Sequence, residues 1–132
     1  MEIEQVIKIS QLYDFYSELL SDKQRQYLDD YYFNDLSLTE ISENYNISKQ
    51  AVSNNIKRTI LELEQFEEKL NLIKLNNQRL FLLNEIKKST TDTEVLTYVE
   101  ELIKLENLKK YIMTSLKIYS LTRYFLKKLQ IR

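Results

Sequence analysis

The apolar residues of this chain recur at intervals of three and four positions, the spacing of amphipathic α-helices. Between residues 2 and 20 one such face is formed by Ile3, Val6, Ile7, Ile9, Leu12, Tyr13, Phe15, Tyr16, Leu19 and Leu20. Ser21 and Gln24 fit a capping box that begins a second helix, and Asn34 and Asp35 end it. The apolar face of that helix holds Tyr27, Leu28, Tyr31, Tyr32 and Phe33. This pattern predicts an all-α fold with the tyrosines in its core rather than on a base-stacking surface.

Residues 37–58 (SLTEISENYNISKQAVSNNIKR) have the pattern of two short helices joined by a tight turn. Ser37 and Glu40 fit a capping box for the first helix, and the Ser48 hydroxyl can cap the second. Asn46 stands at the turn position that usually holds Gly, and Asn tolerates the positive φ needed there. The positions that two crossing helices would bury are Leu38, Ile41, Tyr45, Ile47, Val52 and Ile56. We therefore predict a helix-turn-helix, whose second helix commonly enters the major groove of DNA.

The second helix of this motif presents polar side chains on the face opposite its apolar positions. The candidate nucleic-acid-binding residues are Ser48, Lys49, Gln50, Ser53, Asn54, Lys57 and Arg58. The amides of Gln50 and Asn54 suit adenine, since an amide can bond the N6 and N7 atoms of that base together. Lys49, Lys57 and Arg58 would hold phosphates and fix the register on the nucleic acid.

After Ile56 no stop signal appears before Ser89 and Thr90, so we predict that the second helix continues to Lys87, about 60 Å in all. A seven-residue repeat follows it, formed by Ile56, Leu63, Leu70, Asn77 and Asn84 with Phe66, Ile73 and Leu80 as the second seam. Polar Asn77 and Asn84 on this seam indicate a dimer, although packing against the N-terminal helices would give the same pattern. Thr91 and Glu94 fit a capping box for a helix that folds back to form a C-terminal hairpin.

The chain divides by pattern into three segments. We expect a helix-turn-helix domain at residues 1–62, a long and a returning helix at 63–107 that serve as a dimerisation arm, and a basic amphipathic tail at 108–132. In the tail one helical stripe carries Ile118, Leu121, Phe125 and Leu129, and bases stand elsewhere, among them Lys117, Arg123, Lys127, Lys128 and Arg132. Such a segment suits an anionic membrane surface, an RNA backbone, a partner groove or a core helix with a solvated face.

The composition excludes most recurring kinds of enzyme site. The chain has no Cys, His, Gly, Pro or Trp, so it has no P-loop, no dinucleotide fingerprint, no Ser-His-Asp triad and no zinc site of the usual ligands. We expect neither catalysis nor a cofactor. The absence of Cys fits a reducing compartment, the start of the chain lacks a signal-peptide pattern, and no run of about 18 apolar residues occurs. A cytoplasmic location is therefore expected.

The distribution of charge says more than the net charge of −1. Residues 1–48 carry ten acids and three bases, whereas residues 49–132 carry sixteen bases and ten acids. Bases cluster on the proposed recognition helix and again from Lys104 to Arg132. These are two surfaces at which phosphate could dock on an otherwise acidic body, although lysines on solvated helix faces would give the tail a similar charge.

Over residues 6–72 the chain resembles the YlxM family of small Gram-positive and mollicute proteins. The shared features are the aromatic run of residues 12–16, the segment 20–25, Tyr31 and Tyr32, the segments 36–41 and 47–59, and the acidic continuation through residues 67–70. Lys49 replaces a usual Arg and Ser53 a usual Tyr. Members usually end near Asn107, so the tail lies outside the family pattern.

The resemblance implies an all-helical, dimeric protein with a fold like region 4 of bacterial sigma factors. It also implies a role in the signal recognition particle pathway, because genes of this family commonly lie beside that of the particle's GTPase. Three functions stay open: an accessory protein that touches the particle's RNA or GTPase, a sequence-specific DNA-binding transcriptional regulator, or a protein-interaction scaffold. RNA contact would follow backbone and shape, since the major groove of RNA excludes a helix.

Overall fold

The computed structural model describes residues 3–108, and in this part of the chain every regular element is helical. Helix α1 spans Ile3–Tyr16, followed by a 3-10 turn at Ser17–Leu19, α2 at Asp22–Tyr32, α3 at Leu38–Tyr45, α4 at Lys49–Leu70 and α5 at Leu72–Ser89. A last helix, α6, is described over residues 93–108. The all-α prediction is confirmed. The predicted basic tail lies outside the described residues, apart from its first residue, Leu108.

The hydrophobic core lies among the first four helices, which we call the body. Helix α4 contacts α1, α2 and α3 and so forms the centre of this arrangement. The core residues are Ile9, Leu12, Tyr13, Tyr16, Leu20, Tyr27, Leu28, Ile41, Val52, Ile56 and Leu63. Burial of a large apolar side chain stabilises a fold by about 1.5–3 kcal/mol. Three of the tyrosines are thus core residues, as the sequence predicted.

The boundaries of α2 follow the predicted signals. The Ser21 amide donates to Gln24 Oε1 at 3.0 Å and the Gln24 amide donates to Ser21 Oγ at 3.3 Å, which completes the capping box. Beyond the helix Asp35 adopts a φ of 53°, in the left-handed region that Asp tolerates better than most residues. The chain thereby turns into α3.

The predicted continuous helix from Ser48 to Lys87 is wrong. Helix α4 ends at Leu70, because Asn71 adopts the left-handed conformation with a φ of 54° and a ψ of 29°. Asn is one of the few residues that enter this region at small cost. Helix α5 begins at once after Asn71, so the two helices meet at a corner.

Contacts distant in sequence hold this corner. Two amides in the first turn of α5 have no partner within the helix. The Leu72 amide donates to the Tyr16 hydroxyl at 3.1 Å, and the Ile73 amide donates to Glu67 Oε1 at 2.9 Å. Tyr16 in turn donates to Glu67 Oε1 at 3.1 Å. The hydroxyl of α1 and the carboxylate of α4 therefore cap α5 together.

The corner also divides the predicted seven-residue seam. Ile56 and Leu63 are buried in the body, whereas Leu70, Asn77 and Asn84 are exposed. The eight seam positions do not form one continuous stripe along a single straight helix. The part of the seam on α5 instead lies on a second unit, the hairpin formed by α5 and α6.

The predicted return of the chain in α6 is found, but the predicted capping residue is wrong. Asp92 rather than Thr91 caps α6, since Asp92 Oδ1 accepts from the amides of Glu94 at 2.9 Å and Val95 at 3.3 Å. An aspartate carboxylate is an acceptor equal to a hydroxyl at this position. Thr90 supports the turn, because its hydroxyl accepts from the Asp92 amide at 3.2 Å.

A polar clasp joins the two helices of the hairpin. Asn76, which is 6% exposed, donates to Glu106 Oε2 at 2.6 Å, and Arg79 Nε donates to Glu106 Oε1 at 2.6 Å. The Arg79 guanidinium and then the Asn76 amide hold the pKa of Glu106 below its usual value, against the opposing effect of burial. Val99 is the other buried side chain of the hairpin, 4% exposed.

Candidate nucleic-acid interface

The helix-turn-helix has the predicted caps at Ser37 and Ser48 and the predicted left-handed residue at Asn46; of the predicted capping box of α3, the bond to the Ser37 hydroxyl is present. Ser37 Oγ accepts from the Glu40 amide at 3.1 Å, and Ser48 Oγ accepts from the Ala51 amide at 3.0 Å. Asn46 adopts a φ of 54° and a ψ of 47°, the left-handed conformation that a helix end requires. Ser37 thus fixes where α3 begins, Asn46 where it ends and Ser48 where α4 begins.

Aromatic contacts press α3 against α2 and so orient α4. The rings of Tyr27 and Tyr45 meet edge to face with their centroids 4.9 Å apart. The Tyr45 hydroxyl donates to Asp30 Oδ2 at 2.8 Å. Burial, followed by this bond to the Asp30 carboxylate, raises the pKa of Tyr45 to about 12. The phenol therefore stays protonated and continues to donate at neutral pH.

The two faces of α4 differ as the motif demands. Val52, Ile56 and Thr59 are buried on the inner face. Six of the seven predicted binding residues are exposed on the rest of the helix surface, namely Ser48, Lys49, Gln50, Asn54, Lys57 and Arg58, while Ser53 is half-buried. We call these seven residues the recognition face. The structure thus brings all of them together at the N-terminal half of one helix.

Gln50 and Asn54 lie one turn apart on this face and contact each other. Gln50 Nε2 donates to Asn54 Oδ1 at 3.1 Å. Each amide keeps further donor and acceptor capacity after this bond. Because the bond restricts both side chains, less conformational entropy is lost when a base edge binds them.

Positive charge surrounds the amide pair. Lys49, Lys57 and Arg58 are exposed, and no acidic residue occurs from Lys49 to Leu61. Beside Lys49 lies a cleft of about 430 Å³, which is lined by Tyr31, Asp35, Leu36, Ser37, Leu38, Thr39 and Lys49. The cleft joins the first turn of α3 to the recognition face. Its one carboxylate, Asp35, disfavours a phosphate, whereas Lys49 and the positive end of α3 favour one.

Sequence reasoning missed one residue of this surface. Leu61 is 58% exposed and lies four positions after Lys57 and seven after Asn54. Residues at these intervals share one side of a helix. Leu61 therefore extends the recognition face by one apolar side chain, and the same spacing rule that identified Lys57 could have found it.

Comparison with known proteins agrees with this geometry. Residues 3–105 match the model of the family UPF0122, which is described as "Putative helix-turn-helix protein, YlxM / p13 like". The chain belongs to this family. The UPF0122 match covers every helix of the body and almost all of the described hairpin, and it confirms the resemblance seen in the sequence.

Individual UPF0122 relatives are similar over nearly their whole length. UPF0122 protein OB1530 of Oceanobacillus iheyensis is 46% identical over 104 residues, which are 79% of this chain and 99% of that protein. UPF0122 protein YlxM of Bacillus subtilis is 43% identical over 110 residues, 80% of this chain and 100% of that protein. YofM of Lactococcus lactis is 46% identical over 107 residues, with 80% and 96% covered. The last residues of the chain thus lie beyond the UPF0122 match.

Between residues 3 and 108 no three carboxylates converge where they could hold a metal ion. Over that range no helix has the length and apolar character needed to cross a bilayer.

Proposed function

We propose that this protein is a nucleic-acid-binding regulatory or accessory protein that places the N-terminal half of α4 in the major groove of duplex DNA. The observation that carries this proposal is the pairing of Gln50 with Asn54 at 3.1 Å on an exposed face that contains three cations and no acid. The family description supports it, since helix-turn-helix proteins commonly bind in this way. The role needs no catalytic chemistry and no cofactor.

In this proposal the residues of the recognition face divide their work. Gln50 and Asn54 read adenine, because an amide bonds N6 and N7 of that base together. Lys49, Lys57 and Arg58 bind phosphates and fix the register. Ser48 and Ser53 are small and let the helix approach the bases. Residues 1–62 then contain the whole recognition face, and the arm proposed for residues 63–107 begins within α4 and continues through the hairpin.

The first test is fluorescence anisotropy of the full chain with duplex DNA, followed over salt concentration. The slope of log affinity against log salt counts the phosphates that are neutralised. After a preferred site has been selected, we expect Gln50→Ala to change the preference at one base pair by about 1–3 kcal/mol. Gln26→Ala, an exposed amide on α2, is the matched control and should leave the preference unchanged. Unchanged preference in both Gln50→Ala and Asn54→Ala would contradict direct reading of bases.

The gene order that the sequence resemblance implies, beside the gene of the particle's GTPase, extends the proposal to protein targeting. We propose that the protein acts in the cytoplasm beside the signal recognition particle, in contact with its RNA or its GTPase. A helix does not enter the major groove of RNA, so RNA contact would involve the phosphate backbone through Lys49, Lys57 and Arg58. Tight, salt-sensitive binding of the particle's RNA with weak DNA binding would support this role. Co-purification with the GTPase that is lost on RNA digestion would identify RNA as the partner.

We also propose that the arm makes a homodimer. A groove of about 700 Å³ runs along α5 and is lined by Glu67, Ile73, Lys74, Asn77, Gln78, Phe81 and Leu82. Phe81 is 63% exposed there, and a large apolar side chain on a concave surface is typical of a protein interface. Sedimentation velocity measures the dimer directly.

A protein that binds neither DNA nor RNA would be a protein-interaction scaffold.

A further inference from the structure

A second apolar surface lies on the hairpin. On α6 the side chains of Val95, Tyr98, Leu102 and Leu105 follow one another at intervals of three and four, and all are exposed, Leu105 by 68%. This is the spacing of a seam that packs against another helix. In the part of the chain that the structure describes, the seam on α6 is turned to solvent.

Helix α5 adds to the same surface. Leu75, Leu82 and Ile86 are exposed on this helix. Leu75 is followed directly by Asn76, and Leu82 by Leu83, and these two following residues lie on the inner side of the hairpin. The same relation holds on α6, where Tyr98 of the stripe is followed directly by the inner residue Val99. Consecutive residues of a helix are about 100° apart around its axis. In two antiparallel helices, stripes that stand one residue before the inner positions therefore lie on the same side of the pair. We call these seven apolar residues the hairpin face; Leu82 stands at its edge, where it also lines the groove along α5.

The border of the hairpin face carries acidic residues. Glu94 and Glu101 are exposed on α6. Tyr98 on the face donates its hydroxyl to Glu94 Oε1 at 3.3 Å. Near the last described turn of α6 a cleft of about 290 Å³ is lined by Glu101, Lys104, Leu105 and Leu108. An apolar stripe beside carboxylates suits a basic amphipathic partner.

We propose that residues 109–132 of the same chain cover the hairpin face. This segment starts directly after Leu108 and contains seven bases and no acid, which complements the border of the face. Its apolar residues Ile118, Leu121, Phe125 and Leu129 stand at helical intervals. Their stripe spans eleven positions and that of α6 spans ten, so at helical rise the lengths are about 16 and 15 Å. Nine residues precede Ile118, enough to reverse the direction of the chain.

Residues 109–132 are favoured to cover the hairpin face because they belong to the same chain. A segment attached to the surface that it binds has an effective concentration in the millimolar range or above, so little affinity per contact is needed. The proposal concerns a surface separate from the recognition face, and it extends beyond the part of the chain that matches the family. It therefore stands or fails independently of nucleic-acid binding.

The absence of cysteine makes disulfide trapping a clean test in the full chain. Phe125→Cys is combined with Leu102→Cys, and the control combines Phe125→Cys with Thr97→Cys, since Thr97 is also exposed on α6 but lies outside the hairpin face. Both replaced side chains on the described helices are exposed, so folding should be retained, which circular dichroism checks. We expect the Leu102 pair to form an intramolecular disulfide at least about tenfold faster than the control, because docking raises the local concentration above that of a free linker.

Three results are distinguishable by mass spectrometry of the oxidised protein. Faster intramolecular closure at Leu102 supports the proposal. Equal rates for the two pairs would overturn it, because the segment would then sample both surfaces alike. Fast formation of disulfide-linked dimers by Leu102→Cys alone would also overturn it, because a second copy would then occupy the hairpin face.

Cross-linking of the unsubstituted chain gives a second measurement. A carbodiimide joins a carboxylate to a lysine amine in direct contact, and we expect Glu94 or Glu101 to become linked to Lys117, Lys127 or Lys128 within one chain. High salt should reduce the yield, since these exposed charges are screened. Links from the same lysines to the carboxylates of α2 in equal yield would contradict docking on the hairpin.

Discussion

In the body, the side chains of Tyr16, Ile41 and Val52 are fully buried, whereas in the hairpin Phe81 and Leu105 are more than half exposed. The two regions contain similar apolar residues at similar helical spacings. What differs is the number of neighbours that each helix has. Helix α4 is packed against three other helices, whereas in the described structure α6 lies beside α5. A helical pattern therefore indicates a buried face only where the fold supplies something to cover it.

This difference has a thermodynamic consequence. Regions with few buried apolar contacts open at lower free energy than the core of the same protein. We expect the hairpin to open before the body, and to gain more stability from a partner than the body does. The recognition face lies on the stable region, which keeps its amides in place for the binding proposed above.

The largest expected effect is that of Ile41→Ala. Ile41 is fully buried where α3 crosses α4, and truncation of such a side chain costs about 2–5 kcal/mol because the cavity is only partly refilled. Leu102→Ala is the matched substitution on the hairpin; residues 109–132 alone are proposed to cover this side chain, so the loss should be smaller, about 1 kcal/mol. Urea denaturation of the full chain measures both free energies of unfolding.

A loss of equal size in the two variants would contradict the comparison. It would mean that Leu102 is as well covered as Ile41, in solution and in the full chain. A small loss at Ile41 would instead show that the body tolerates a cavity at the crossing of the helix-turn-helix.

A smaller effect is expected at the clasp of the hairpin. Asn76→Ala removes an amide that donates to the Glu106 carboxylate at 2.6 Å, and a hydrogen bond to a charged group is worth about 1.5–3 kcal/mol. Asn77→Ala removes the same amide from an exposed neighbour and is the control. Hydrogen exchange of the α5 amides measures the free energy of opening, and we expect the loss there and not in α3.

The contribution of the same clasp to stability can also be measured by lowering the pH. The pKa of Glu106 is lowered in the folded protein, first by Arg79 and then by Asn76. The stability from this group is therefore fully present above the usual glutamate pKa and is lost as pH falls through the lowered value. Hydrogen exchange in α5 should become less sensitive to this acid range in Glu106→Gln. Equal acid sensitivity in parent and variant would show that Glu106 does not hold the hairpin.

Local signals in the sequence predicted the helix boundaries of the body well. The caps at Ser21, Ser37 and Ser48 and the left-handed Asn46 depend on neighbours within a few residues, so their patterns are legible without a structure. The recognition face also follows from helical spacing alone. The cap of α6 was misplaced by one residue because Thr91 and Asp92 are both good capping residues.

The corner at Asn71 had no such local signal. Asn46 and Asn71 adopt the same φ of 54°, but Asn71 stands inside an uninterrupted apolar pattern. The corner is stabilised by the Tyr16 hydroxyl and the Glu67 carboxylate, which accept hydrogen bonds from the first amides of α5. Tyr16 is 56 residues distant from Leu72 in sequence, so this contact is visible only after folding.

The smallest effect is expected at this corner and tests whether the left-handed residue holds it. A residue with a Cβ in that conformation costs about 1–2 kcal/mol, a cost that Asn partly avoids and Gly avoids entirely. We expect Asn71→Ala to lower the free energy of unfolding by about 1–2 kcal/mol and Asn71→Gly to leave it nearly unchanged, as measured by urea denaturation. If Ala instead increased the helix content without loss of stability, α4 and α5 would have merged into one helix. The Tyr16 and Glu67 caps would then be lost, and the hairpin would no longer be held against the body.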